Sequence, residues 1–124
     1  MAEAIARYDA ADVIEAHSAG LSPLGFIPDL TKQTLIQNDY SAKGLNSDAL
    51  TPEACDDADV IINMTGRSRE ESFKFPEKVE DWMVQDPYGD DPQTYQRVFE
   101  SIKRRVNQLA LGLREKREHR SLVK

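Results

Sequence analysis

The sequence predicts an α/β domain, a three-layer sandwich in which helices flank a parallel sheet. Residues 58–64 (ADVIINM) are β-branched and apolar on both faces, as in a buried parallel strand. Tyr95, Val98, Phe99, Ile102, Val106, Leu109 and Leu113 step by three or four, the stripe of a long amphipathic helix. Elsewhere strand-like and helix-like runs alternate, the signature of βαβ units. Residues 1–124 make one domain, long enough to bury a core.

Taken in order, residues 1–10 form an Ala-rich helix with Met1, Ile5 and Tyr8 near one face. Its first N–H groups have no capping segment before them. Asp12–Ser18 (DVIEAHS) is a strand candidate closed by Ala19 and Gly20. Pro23, Gly25 and Pro28 make 22–29 a loop. A helix follows over Leu30–Asn38, with Leu30, Thr34 and Leu35 facing inward. Residues 40–50 are polar and irregular. Thr51, Pro52 and Glu53 open a short helix, since Thr caps, Pro suits the first turn and Glu favours the positive end.

After the apolar strand, Thr65 and Gly66 turn the chain into a helix over Ser68–Phe75, which Pro76 ends. A short strand over Asp81–Val84 then delivers Asp86 into a turn stiffened by Pro87 and Gly89. An acid at the mouth of a strand is where open α/β sheets keep their chemistry. Asp91 and Pro92 start the last helix. Only three strands are found, which is thin for a doubly wound domain.

Charge and composition bound the function. At 40% apolar and 31% charged, the balance is that of a globular protein. No apolar run approaches the roughly 20 residues that span a bilayer, and residues 1–7 lack signal-peptide character, so no membrane is expected. The stretch from Lys103 onward carries +6 and the rest −12. An acidic body repels phosphate, which argues against nucleic acid. A single cysteine, Cys55, precludes an internal disulfide framework and points to the cytoplasm. Its neighbours Glu53, Asp56, Asp57 and Asp59 disfavour a thiolate. His17 and His119 have no ligand-spaced partners, and Asp86, Asp90 and Asp91 lack calcium-loop spacing, so no metal is expected.

Five stretches fall together in one order: 1–6 (MAEAIA), 18–21 (SAGL), 50–53 (LTPE) running on to 58–64, 79–82 (VEDW) and 86–89 (DPYG). In these the chain resembles the low-molecular-weight protein tyrosine phosphatase and arsenate reductase superfamily. The resemblance implies that fold minus its first strand, with the C-x5-R-S phosphate loop also missing, as in an N-terminally truncated chain. Six residues after Cys55 stands Ile61 rather than Arg. Resolving cysteines of thiol-coupled arsenate reductases are replaced by 65–68 (TGRS), and a histidine of many relatives is missing near Leu45.

By resemblance Asp86 is the general acid that protonates the leaving group, Tyr88 lines the substrate slot, and Ser18 supports the phosphate loop. The implied ligand is a phosphate- or arsenate-type anion, and no cofactor is implied. Without a thiolate and its anion cradle, an acid alone is half a mechanism, so the chain is expected to be inactive. The alternative is a non-catalytic binding or assembly module on the same fold. Losing a central strand would leave unpaired edges, so either the flanking strands close on each other or a second copy fills the gap, a homodimer.

Overall fold

The computed structural model describes residues 1–21 and 25–123, with side chains described through Lys116. The His119 side chain and the first part of the expected 22–29 loop therefore lie outside what is described. Among the described residues five α-helices and two strands follow one another: α1 (Ala2–Asp9), α2 (Asp29–Gln37), α3 (Pro52–Asp57), β1 (Ile61–Asn63), α4 (Arg69–Ser72), β2 (Val79–Asp81) and α5 (Pro92–Val123). β1 and β2 run parallel, with Ile61 opposite Val79 and Asn63 opposite Asp81. The fold is α/β, a parallel sheet with flanking helices.

The core lies where α1, α2 and α5 meet the sheet. Ile5 from α1, Leu35 from α2, and Val98, Phe99, Ile102 and Val106 from α5 are buried together with Tyr40 and Trp82. The apolar stripe of α5 is thus spent on this core, as its periodicity requires. Tyr40 stacks edge-on against Phe99 with ring centres 5.6 Å apart. Its hydroxyl donates to Asp9 Oδ2 at 2.7 Å, and Asn107 Nδ2 donates to the same oxygen at 3.0 Å. Arg114 clamps Asp12 with two bonds of 2.8 and 2.9 Å, and also donates to the Asp9 carbonyl. The end of α1 is therefore tied to the middle of α5. Asn38 and Gln96 exchange amide hydrogen bonds and tie α2 to the start of α5 in the same way.

The expected caps form. Ala54 N–H donates to Thr51 Oγ1 at 3.1 Å, and Thr94 N–H donates to Asp91 Oδ1 at 2.8 Å. Other expectations are corrected. Asp12–Ser18 is not a strand. Val13 and Ile14 N–H close a turn on the Ala10 carbonyl, and among the described residues 15–19 make no backbone–backbone hydrogen bond; pairing begins at Gly20, which bridges to Ala49. Tyr8 is 74% exposed rather than inward, because the core is filled from α1 by Ala4, Ile5 and Ala6. Val60 is 47% exposed, so the covered part of the apolar run begins only at Ile61. The helix expected over Ser68–Phe75 is the single turn α4, and a 3-10 turn at Pro76–Lys78 leads into β2. The second strand is Val79–Asp81, not Asp81–Val84, because Val79 is the apolar residue that buries against β1 while Met83 is left 80% exposed.

Candidate functional site at the carboxyl ends of the strands

Because β1 and β2 are parallel, the loops that leave them emerge at the same end of the sheet. Asn63 builds that end. It is 97% buried, and its side chain makes four hydrogen bonds. Its carboxamide oxygen accepts from Thr65 N–H at 3.1 Å and from Thr65 Oγ1 at 2.6 Å. Its amide donates to the Arg67 carbonyl and to Asp81 Oδ1, both at 2.9 Å. The first two bonds bend the chain out of β1 as an Asx turn does. The last pins the end of β2. Trp82 N–H then donates to the Asn63 carbonyl at 2.9 Å, so β2 leaves the sheet in a fixed direction. The sequence signal for Asn63 was one polar residue inside an otherwise apolar run, and its role was missed.

Asp86 arrives from this strand end and is exposed. Its Oδ1 accepts from Tyr88 N–H at 3.0 Å, and Asp90 N–H closes a tight turn on the Pro87 carbonyl at 2.8 Å. Gly89 sits at φ +87° in that turn, where a Cβ would be strained. The turn rests over the first turn of α5. Tyr95 is buried there, and burial raises its phenol pKa; the nearby Asp86, Tyr88 and Asp90 push the same way, against a hydrogen bond with Thr31. Tyr88 projects outward at 53% exposed. Arg67, on the loop after β1, is exposed and has no carboxylate partner among the described residues. An exposed carboxylate, an exposed phenol ring and a loop arginine thus share one end of the sheet.

Ser18 lies elsewhere. Its hydroxyl donates to Glu3, a buried carboxylate in the first turn of α1 that is also paired with Arg7. The Met1 ammonium is close enough for Glu3 to stabilise its charge, though desolvation outweighs this and lowers its pKa. Among the described residues no hydrogen bond or ion pair joins Ser18 or Glu3 to Asp86 or Tyr88.

Cys55 is at the other end of the molecule. It is buried on α3, the helix before β1, and Lys78, the residue just before β2, donates from Nζ to its carbonyl at 3.1 Å. The thiol therefore sits by the amino ends of both strands, across the sheet from Asp86. No grouping of His, Cys, Asp and Glu suited to a metal ion occurs among the described residues. None of the described helices is long and apolar enough to cross a membrane.

Comparison with known proteins agrees on the fold. The family model described as "Low molecular weight phosphotyrosine protein phosphatase" matches residues 1–119. No curated protein matches the sequence. Among solved structures, a protein tyrosine phosphatase is 21% identical with a TM-score of 0.81, covering 91% of this chain and 85% of its own. The YwlE arginine phosphatase, solved with a phosphorylated active-site serine, is 23% identical with a TM-score of 0.81 and covers 94% and 88%. An arsenate reductase in its reduced state is 24% identical with a TM-score of 0.76 and covers 90% and 86%.

Proposed function

The chain belongs to the low molecular weight phosphotyrosine protein phosphatase family, and from that premise we propose that it keeps the leaving-group half of a phosphatase-type site and does not turn over phosphate esters by itself. Asp86 is the acid, poised on a stiff turn at the carboxyl end of β2. Tyr88 is the wall beside it, and Ser18, whose hydroxyl is engaged by Glu3, is the residue that would support a phosphate loop. The ligand class is a phosphate- or arsenate-type anion, with Arg67 the cation at that end of the sheet.

One observation carries the absence of turnover. The only thiol in the sequence, Cys55, is buried on α3 at the opposite end of the strands and is followed six residues on by Ile61. Phosphoryl transfer of this type needs an accessible thiolate beside an arginine and a cradle of backbone N–H groups. An acid without a thiolate lacks the group that takes up the phosphoryl in this type of mechanism. The rival reading, a binding module on the same scaffold, draws support from the closed core of α1, α2 and α5, which forms without any phosphate loop.

The test is hydrolysis of an aryl phosphate by this chain beside a version carrying a first strand and a C-x5-R-S loop ahead of Met1. The unmodified chain is expected to be silent and the extended one active. In the extended version Asp86→Asn should lower kcat by about 10²-fold or more, the usual contribution of a general acid. Activity in the unmodified chain would overturn the assignment of Cys55. Full activity of the Asp86→Asn variant would overturn that of Asp86.

A further inference from the structure

A cleft of about 370 Å³ lies between β2 and the second half of α5, a volume in the range of small-molecule sites. Its floor is apolar: Trp82 is buried, and Leu109 and Leu113 are half-buried beside it. Its rim is charged. The Arg105 guanidinium carbon stands 6.0 Å from the Trp82 ring centre, and Lys116 lies further along the same helix. Two features of this cleft have no role in holding the fold. Arg105 is half-buried, yet it makes no hydrogen bond or ion pair among the described residues. A cation withdrawn from water ordinarily has an anion against it. Of the two carboxylates at the rim, Asp81 is held by Asn63 and Arg69, and Glu80 is exposed and pairs with neither cation. The second feature is Gly112, in the interior of α5, where glycine weakens a helix. A Cβ added there would meet no atom within 4 Å, so packing does not call for glycine. What its missing side chain does is leave the helix wall of the cleft bare.

We propose that this cleft binds a small aromatic carboxylate. The ring lies on the bare backbone at Gly112, against Leu109, Leu113 and the edge of Trp82, and the carboxylate meets Arg105 with Lys116 beside it. A guanidinium suits this ligand twice over, because it pairs a carboxylate through two parallel N–H bonds and stacks on ring faces. Two unpaired cations against one unpaired carboxylate, Glu80, favour a single negative charge on the ligand. The cleft is separate from the acid end of the sheet, since Arg67, Asp86 and Tyr88 do not line it. The proposal therefore does not rest on the phosphatase reading.

Trp82 is the only tryptophan in the sequence, so its indole N–H gives a single NMR signal that reports on the cleft. The full chain is titrated with 1-naphthoate and, in parallel, with the neutral amide of the same ring. A saturable shift of the Trp82 signal is expected, with a Kd for naphthoate of about 1 mM or tighter. The amide should bind at least about tenfold more weakly, for want of the charge. Gly112→Leu places a side chain where the ring would lie; it should melt at or above the parent temperature and bind naphthoate at least about tenfold more weakly. Arg105→Gln should abolish the preference for naphthoate over the amide and leave amide binding unchanged. A Trp82 signal unmoved up to the solubility limit of naphthoate would overturn the proposal, as would equal affinities for naphthoate and amide. So would shifts confined to the Arg67 and Tyr88 amides, which would put the anion at the acid end of the sheet, or parent-like binding by a folded Gly112→Leu variant. If that variant fails to fold, Arg105→Gln decides: an unchanged preference for naphthoate would overturn the site.

Discussion

The Tyr40–Asp9 hydrogen bond tests how α1 is held to the rest of the core. Tyr40 is 6% exposed, donates to Asp9 Oδ2 at 2.7 Å and contacts Tyr8 and Phe99 edge-on at 5.7 and 5.6 Å. Tyr40→Phe removes the hydroxyl and keeps the ring contacts. A hydrogen bond to a charged acceptor contributes roughly 1.5–3 kcal/mol, and the low end applies because half-buried Asp9 keeps its bond from Asn107. At about 2.1 cal/mol/K of unfolding entropy per residue, 1 kcal/mol moves the midpoint of a chain this size by about 4 °C. Thermal melting of Tyr40→Phe should therefore fall by about 6 °C. Asp9→Asn, which leaves an acceptor in place, should lose less, and the double variant should fall short of the sum by about 1 kcal/mol. A pH series supplies a second check. Burial, then the Asp9 bond and charge, hold the Tyr40 phenol well above its usual range. The native state thus keeps a proton that the unfolded chain loses near pH 10, so this contribution is intact below pH ~10 and declines as pH rises beyond it. Tyr40→Phe should flatten that alkaline decline. A variant melting within 1 °C of the parent, or strict additivity with Asp9→Asn, would refute the reasoning.

Two further outcomes bear on the site end of the sheet and on the thiol. Asn63→Ala removes four hydrogen bonds at a buried position and should cost about 1–3 kcal/mol, seen as a lower melting temperature and a red-shifted emission from Trp82 as the strand end opens; a parent-like melt and spectrum would show that another group ends the strands. Cys55 should react with a thiol reagent about 10²-fold more slowly in the folded chain than in denaturant, because its labelling requires opening of α3; equal rates would place the thiol at the surface and reopen its assignment.

What could be read from the sequence, and what could not, separates by the range of the interaction. Helices that announce themselves locally were legible: the Thr51 and Asp91 caps form as expected, and the Tyr95–Val106 stripe is buried residue for residue. These depend on side chains a few positions apart. The strands were harder, because a strand is defined by its partner. Residues 12–18 have the composition of a strand and form none, because Val13 and Ile14 close a turn on the Ala10 carbonyl and 15–18 have no backbone partner among the described residues. The second strand sits two residues earlier than its apolar pattern suggested, because Val79 is chosen by its place opposite Ile61 rather than by its own sequence. The site divides along the same line. The turn at Asp86 was legible because Pro87 and Gly89 mark it locally. Asn63, which fixes the end of β2, works through Thr65, Arg67 and Asp81, and the last of these is joined to it only by the fold. Ser18 shows the converse: its position carried over by resemblance, but its hydroxyl is engaged by Glu3, a partner that local sequence does not reveal. An acid can be read from its own turn, whereas a site has to be read from the contacts that bring its parts together. In this chain those contacts fix the strand end that leads to Asp86 and keep Cys55 by the amino ends of the strands.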